Sequence, residues 1–303
     1  MTHNHTRLAY ILLTLTTLFW GGNSVAGKMA VGEISPMLLT FARWIIAMAL
    51  LAPFAMKDLR NDWPVIRRYW LLLLFYGSIG FTLFNVMLYA ALTKTTAVNA
   101  SIMQAAIPAS VYLLNFVIFR VRVTVWQIAG FIVTLAGVAV VSTHGQVARL
   151  ASLDLNGGDG LVLVAVVIYA LYTVCLRFKP LMNWKSLITI LALIAALSSL
   201  PFVWWEWKTG TLIVPTHTGM WVALYAGIFP SIVSQIFFIR GVELIGANRA
   251  GIFTNLIPIF GTGLAILIIG EPLETFHITA LLLVIAGIWL AERKTSKIPA
   301  ISS

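Results

Sequence analysis

Charged residues are scarce in this chain of 303 residues, and that scarcity excludes an ordinary soluble fold. Only 10% of the residues are charged and 60% are hydrophobic, with a mean hydropathy of +0.95. A soluble domain usually carries about a quarter charged residues, because its surface has to face water. The composition therefore predicts that lipid, rather than water, surrounds most of the protein surface.

Cysteine and the common catalytic motifs are missing as well. Cys175 is the only cysteine, so an intramolecular disulfide framework and a thiolate zinc site are both excluded. The sequence contains no His-Glu-x-x-His, no Gly-x-Ser-x-Gly and no pair of acids inside an apolar run. We therefore expect no enzyme, no metal site and no cofactor.

Acidic residues are fewer than basic ones, and the formal net charge is +10. The basic residues stand in short loops between apolar runs rather than in one stripe or tail, so no nucleic-acid partner is expected. Most of them fall in one set of alternate loops, whereas the other set holds only Lys28, Lys94, Arg149 and Lys208. Because cytoplasmic loops collect Lys and Arg, both termini are predicted to be cytoplasmic.

Ten apolar runs have the length that crosses a bilayer. They cover residues 8–31, 36–56, 69–92, 97–119, 124–142, 159–177, 186–205, 219–240, 247–269 and 275–291. The first run is long for a signal peptide and lacks a clean cleavage site, so it is counted as a span. The predicted fold class is all-α and integral to the membrane, with ten transmembrane helices.

The two halves of the sequence resemble each other. Residues 80–137 match residues 230–287 at a constant offset of 150, which places Pro108 on Pro258. Each half then holds five spans, and because five is odd, the second half enters the membrane in the opposite direction. Inverted five-helix repeats are typical of secondary transporters, whose halves exchange conformations to open a central site to alternate sides.

The repeat also predicts the organisation of the chain. The first five-helix repeat covers 1–143, a linker follows at 144–158, the second repeat covers 159–292, and a cytoplasmic tail covers 293–303. The linker is rich in Gly, Asp, Ser and Asn, which favours a solvated loop.

Polar residues recur on single faces of the predicted spans. Amides and hydroxyls in lipid must find partners or line a wet cavity, and spacings of three, four or seven place them on one side of a helix. Hydrogen bonding between helices stays open as the role of any one of them, but a central polar cavity explains the aligned faces together. The candidate substrate-binding residues are Trp20, Asn23, Arg43, Ser78, Thr82, Asn85, Tyr89, Gln104, Tyr112, Tyr169, Tyr172, Gln235 and Asn255.

Three residues within the spans have two possible roles each. Arg43 lies about 10 Å into the second span, where an unpaired charge costs several kcal/mol. It is either a structural anchor or a group that attracts a substrate carboxylate. Pro108 and Pro258 each remove a backbone hydrogen bond in mid-helix, so they either kink the helices or act as flexible points in gating.

The run at 19–23 (Phe-Trp-Gly-Gly-Asn) and residues 256–292, with Gly270-Glu271-Pro272, resemble the drug/metabolite transporter (DMT) superfamily of the ten-helix EamA-like type. The resemblance covers nearly the whole chain. It implies an inner-membrane carrier that often exports amino acids or related metabolites. The first half departs from the pattern, because Val121 falls opposite Glu271, and we interpret Glu271 as a helix-end residue.

The predicted cavity contains aromatics, amides and hydroxyls but no acid, which suits a neutral or zwitterionic solute. With the resemblance, this predicts a secondary transporter that exports small metabolites by alternating access. Amino acids, aromatic or other large neutral ones among them, are the leading substrates. An exporter of cationic drugs or other metabolites, held by cation–π attraction, is the alternative, and a channel is the alternative of another class.

The expected partners are the small-molecule substrate and the lipid bilayer, without an obligate protein partner. The acids and histidines fall at the ends of spans or in loops, where water can reach them. Because proton-coupled carriers usually bury a titratable group, the sequence favours facilitated movement or exchange over proton antiport.

Overall fold

The computed structural model describes residues 3–121, 124–146 and 156–292, and every described element is helical. Most of the predicted linker and the whole predicted tail lie outside these residues. The helices are α1 His3–Met29, α2 Pro36–Arg68, α3 Trp70–Leu92, α4 Ala97–Phe119, α5 Val125–Ser142, α6 Gly157–Cys175, α7 Trp184–Lys208, α8 His217–Ile245, α9 Ala247–Phe253 continued by Ile257–Ile269, and α10 Thr275–Glu292.

The prediction of an all-α membrane protein is confirmed. Among the described residues, nine helices are long and apolar enough to cross a membrane, and the shorter apolar helix Thr275–Ala291 adds a tenth crossing. An even number of crossings brings both ends of the described chain to one face of the bundle, the terminal face. The opposite face, which carries the α1–α2, α3–α4 and α9–α10 connections, is the distal face.

Helix α2 is longer than its predicted span, which ended at residue 56. It continues without interruption to Arg68, although it contains Pro53 and Pro64. The added turns are polar enough to leave the membrane, and Asp58 and Asp62 accept hydrogen bonds from Asn183 at the start of α7. The span prediction marked the end of the apolar run, whereas the helix itself ends only where these contacts end.

Four helices are irregular in mid-membrane, in two pairs related by the repeat. Helix α3 is π-helical at Tyr76–Leu83, and α8 is π-helical at Phe229–Val233. Helix α4 is interrupted between Gln104 and Ile107, and α9 passes through a 3-10 turn at Thr254–Leu256. Each interruption lies just before Pro108 or Pro258, so each proline stands in the first turn of a new helical segment, where its missing N–H breaks no hydrogen bond.

The helices of the two halves pack against each other in pairs that the repeat relates. Helix α1 packs on α8 and α9, and its counterpart α6 packs on α3 and α4. Helix α2 packs on α7, and α5 packs on α10. The α5–α10 contact brings backbones together, since a Cβ added at Gly287 would lie 2.6 Å from the carbonyl oxygen of Gly130. The two inverted halves therefore form one interlocked bundle.

The distal half of the bundle is packed more tightly than the terminal half. In α4, every side chain of the distal segment from Ala97 to Met103 is buried, whereas Ala109 alone is buried in Ile107–Phe119. The distal segment of α4 packs on the second segment of α9. Towards the terminal face, α4 packs on α6 and α5, and the first segment of α9 packs on α8 and α1. The two halves thus close together distally and diverge towards the terminal face.

Candidate functional site

Arg43 is the centre of a buried polar cluster in mid-membrane, and its side chain is only 4% exposed. Its Nη1 donates to Asn23 Oδ1 at 3.0 Å, to Asn85 Oδ1 at 2.6 Å and to Tyr89 Oη at 2.6 Å. Its Nε and Nη2 both donate to Ser231 Oγ, at 3.1 and 2.7 Å. One guanidinium group of α2 thereby contacts α1, α3 and α8.

Local structure turns each acceptor towards the guanidinium group. Asn85 donates from Nδ2 to Phe81 O at 2.6 Å, so its oxygen faces Arg43. Ser231 donates its hydroxyl to Ala226 O at 2.8 Å, which leaves its lone pairs for Arg43. Phe81 and Ser231 belong to the two π-helical segments, and π-helical turns in membrane and soluble helices often mark functional sites.

No carboxylate among the described residues compensates the charge of Arg43. In the described part of the chain, the ion pairs are Lys185–Asp58 and Arg240–Glu243, and neither involves the cluster. The four acceptors of Arg43 are neutral, and the Trp44 ring adds a cation–π contact with its centroid 4.8 Å from Arg43 Cζ. Burying an ion without a counter-ion costs several kcal/mol even after relaxation, and the hydrogen bonds to the neutral acceptors offset part of that cost.

Other candidate residues join pairs of helices around this cluster. Thr82 donates to Ala195 O at 2.9 Å and so joins α3 to α7. Gln104 donates to Ser24 Oγ at 2.9 Å and joins α4 to α1. Trp20 donates to Pro230 O at 3.2 Å, and so joins α1 to α8.

The remaining candidates form an aromatic group and a set of partly exposed side chains. Tyr169 and Tyr172 of α6 have ring centroids 5.5 Å apart and contact aromatic rings of α3. Tyr112 lines a small cavity beside Pro108. Ser78, Gln235 and Asn255 are partly exposed, as is Tyr112. The structure therefore brings Asn23, Arg43, Asn85 and Tyr89 into direct contact and distributes the other candidates around them.

The sequence places Ser231 on the polar face of α8 with Gln235, but the candidate substrate-binding residues do not include it, although it accepts two hydrogen bonds from Arg43. The signal was available, because Ser231 lies four residues before Gln235 and shares its helix face. The expectation that the acids and histidines lie near water is wrong for Asp159, Glu206 and His277, which are 1%, 3% and 4% exposed. These three residues lie at the ends of helices, as the sequence predicts, but neighbouring segments pack over their side chains and exclude water.

Two partly buried charged residues, Glu271 and Lys28, help to close the distal face. Glu271 accepts from the backbone N–H groups of Ala97 and Val98, both at 2.8 Å, so a residue of the α9–α10 connection caps α4. The Nζ of Lys28 donates to Leu92 O at 3.0 Å and to Thr95 O at 2.7 Å. A carboxylate is stabilised at a helix N-terminus by the unpaired N–H groups and by the helix dipole.

Two further contacts reach the same α3–α4 connection. Thr95 donates its hydroxyl to Asp159 of α6, and His277 of α10 hydrogen-bonds Asn99 at 3.0 Å. We call these contacts of Lys28, Asp159, Glu271 and His277 with the α3–α4 connection the distal latch. Elsewhere on this face, Glu206 of α7 accepts from Met37 N and Leu38 N at the start of α2.

Two inverted halves, helices interrupted in mid-membrane and a buried polar cluster between them define the fold of a secondary carrier. Comparison with known families agrees with this class. The model of the EamA-like transporter family matches the chain twice, at residues 7–143 and 156–292, and the chain belongs to this family. Its members are named transporters, so the protein is a membrane transporter rather than an enzyme.

Individual relatives are similar over nearly their full lengths. "Uncharacterized transporter YetK" of Bacillus subtilis is 25% identical over 94% of this chain and 87% of its own. A Streptantibioticus cattleyicolor protein named "Probable terminal-alkyne amino-acid exporter" is 24% identical over 93% of each chain. A solved crystal structure shares the fold with a TM-score of 0.63 and 18% identity, over 96% of this chain and 97% of that one.

Proposed function

We propose that the protein exports small zwitterionic metabolites, with amino acids as the leading class, by alternating access across the cell inner membrane. The observation that carries this proposal is the buried cluster around Arg43, placed where the closed distal half meets the diverging terminal half. A site reached from one face and blocked at the other is what alternating access requires in each of its two end states.

The direction of transport follows from the loops. Lys and Arg concentrate in the connections at the terminal face, and cytoplasmic loops are the ones that collect these residues. With the terminal face in the cytoplasm, the Arg43 cluster is loaded from inside the cell. The distal latch then separates the bound solute from the outside until the two halves exchange conformations.

The chemistry of the site supports a solute with an anionic end and an apolar body. Arg43 and the Asn23 amide supply donors, and aromatic rings lie nearby, because Trp20 contacts Phe238 at 5.4 Å between centroids. An amino acid offers a carboxylate for the first and a side chain for the second. A relative named as an amino-acid exporter is consistent with the same substrate class.

Uptake of a radiolabelled amino-acid panel into liposomes that carry the purified protein tests the proposal. We expect saturable uptake of at least one amino acid above the rate of protein-free liposomes. A channel would give uptake that does not saturate, together with single-channel conductance in planar bilayers. If every amino acid enters at the protein-free rate, the amino-acid proposal is wrong, and cationic drugs are the next panel.

A further inference from the structure

We infer that Arg43 binds the substrate carboxylate, so that the carboxylate is required for recognition and the ammonium group is not. The inference rests on the proposed function and narrows it to a chemical class, namely small monocarboxylates with an apolar body. Amino acids belong to this class, and so do their deaminated analogues.

The hydrogen-bonding inventory of Arg43 leaves donors for a ligand. A guanidinium group has five N–H donors. The two of Nη1 serve Asn23, Asn85 and Tyr89, and those of Nε and one of Nη2 converge on a single atom, Ser231 Oγ. The second Nη2 hydrogen has no hydrogen-bond partner among the described residues.

A second donor lies next to it. The amide oxygen of Asn23 accepts from Arg43 Nη1 and from Tyr89 Oη, at 3.0 and 2.8 Å. Its amide nitrogen, on the same planar group, has no partner in the described ranges. Because one short hydrogen bond joins the two side chains, the free N–H groups of Arg43 and Asn23 are within reach of one carboxylate, and charge-assisted bonds of this kind are among the strongest in proteins.

The network around Arg43 fixes it in this orientation. Acceptors on three helices hold the guanidinium plane, and Gly27 allows Tyr89 to approach α1, since a Cβ at Gly27 would lie 2.8 Å from a Tyr89 ring carbon. A purely structural anchor would have its charge neutralised by a carboxylate of the protein. Here all protein partners are neutral, so the missing negative charge has to come from the solute.

The same inventory explains why an ammonium group adds little. Among the described residues, Glu33 is engaged at the distal face by Thr216, and Glu206 is engaged there by the start of α2. No carboxylate contacts Arg43, Asn23, Asn85 or Tyr89 in the part of the chain that the structure describes. An ammonium group in the cluster would meet a positive charge without a compensating negative one.

Four compounds with the same side chain separate these contributions. The compounds are phenylalanine, its carboxamide, 3-phenylpropionate and phenethylamine. If another amino acid is taken up fastest in the panel, the corresponding four compounds are built on that amino acid. Each competes with the radiolabelled amino acid for the protein in liposomes. We expect the two carboxylates to compete at similar concentrations, and the carboxamide and the amine to need concentrations at least about tenfold higher.

The variant Arg43→Gln adds the test of the residue. It is expected to reduce the preference for phenylalanine over its carboxamide from at least about tenfold to within about twofold. A structural role would instead weaken both compounds by the same factor and leave the ratio unchanged. Arg240→Gln is the matched control, because it removes an exposed arginine of α8 whose ion-pair partner among the described residues is Glu243, and its ratio should equal that of the wild type.

The possible outcomes distinguish the inference from the proposed function. An unchanged ratio in Arg43→Gln, or competition by phenethylamine as strong as by 3-phenylpropionate, would overturn the role of Arg43 while amino-acid transport stands. Failure of every amino acid to enter the liposomes would refute the proposed function, and the inference with it. The ranking of the four compounds in the wild-type protein keeps the inference testable even if Arg43→Gln does not fold.

Discussion

The variant Glu271→Gln should open the distal face. In the wild type, both carboxylate oxygens of Glu271 accept backbone N–H groups at the start of α4, at 2.8 Å each. A glutamine has the same shape but only one acceptor oxygen and no charge. It therefore loses one of the two hydrogen bonds and the attraction to the helix dipole.

The size of the effect follows from these two losses. A side-chain cap contributes about 1 kcal/mol, and a charge near a helix terminus contributes about 0.3–1 kcal/mol. The closed distal face should thus be destabilised by about 1–2 kcal/mol. Such a change multiplies the ratio of open to closed molecules by about 5–30.

Cysteine labelling measures this ratio. Cys175 is the only native cysteine, so Cys175→Ser provides a background, and Ala100→Cys adds a reporter at a fully buried position in the distal half of α4. A membrane-impermeant maleimide should label the reporter about 5–30 times faster in Glu271→Gln, provided that opening and closing are fast relative to labelling. Glu243→Gln, which replaces an exposed acid near the terminal end of α8, is the control and should not change the rate. An unchanged rate in a folded Glu271→Gln protein would refute the latch as an energetic contribution to closure.

The repeat supplies a complementary variant. Val121 corresponds to Glu271 at the offset of 150 and follows α4 as Glu271 follows α9. In the state with the terminal face closed, Val121→Glu should cap Ala247 at the start of α9 and stabilise that state. We expect faster labelling of the Ala100→Cys reporter here too. Slower labelling would show that the two connections do not exchange roles.

Three further predictions concern packing and positioning. Gly287→Ala would push its new methyl group onto Thr134, so that α5 and α10 can no longer approach each other. The free energy of unfolding should fall by about 1–3 kcal/mol, which is measured as a lower unfolding temperature in detergent. An unchanged unfolding temperature would contradict the close contact. Gly27→Ala should displace Tyr89 from the Arg43 cluster. The amino-acid concentration that half-saturates uptake into liposomes should then rise by about tenfold. An unchanged half-saturating concentration would argue against Tyr89 as a positioning residue. Glu206→Gln should remove part of the cap of α2 and lower the free energy of unfolding by about 1–2 kcal/mol. An unchanged unfolding temperature in detergent would contradict that role.

The sequence predicted what depends on long apolar runs and on internal similarity. Ten spans, two halves and an inverted arrangement follow from hydropathy and the offset of 150, because lipid imposes a minimum helix length and leaves few alternatives. The polar face of α3 likewise led to Asn85 and Tyr89, which the structure places on Arg43. These features are local along the chain or periodic, so a single sequence contains them.

Features that depend on contacts between distant segments could not be predicted. The burial of Asp159 depends on Thr95, and the cap on α4 depends on Glu271, and neither pair is close in sequence. The extension of α2 to Arg68 depends on contacts with the start of α7. The π-helical segment that contains Ser231 includes Pro230, which predicts a local irregularity of α8 but not a π-helical turn.

Under the proposed alternating access, the internal repeat gives the protein two states, and the differences between its halves set how much each is populated. The distal latch joins Lys28, Asp159, Glu271 and His277 to the α3–α4 connection, with Thr95 and Asn99 as the partners of Asp159 and His277. At the offset of 150, Thr95 corresponds to Ile245 and Glu271 to Val121, and Ile245 packs in an apolar cluster with Ala9 and Leu13. The carboxylate of Glu271 and the hydroxyl of Thr95 thus give the distal face hydrogen bonds that Val121 and Ile245 cannot make at the terminal face, where the same offset places Gln127 on His277 and Arg249 on Asn99. Under the proposed alternating access, a solute that binds Arg43 from the terminal face has to supply part of the free energy that opens the distal latch.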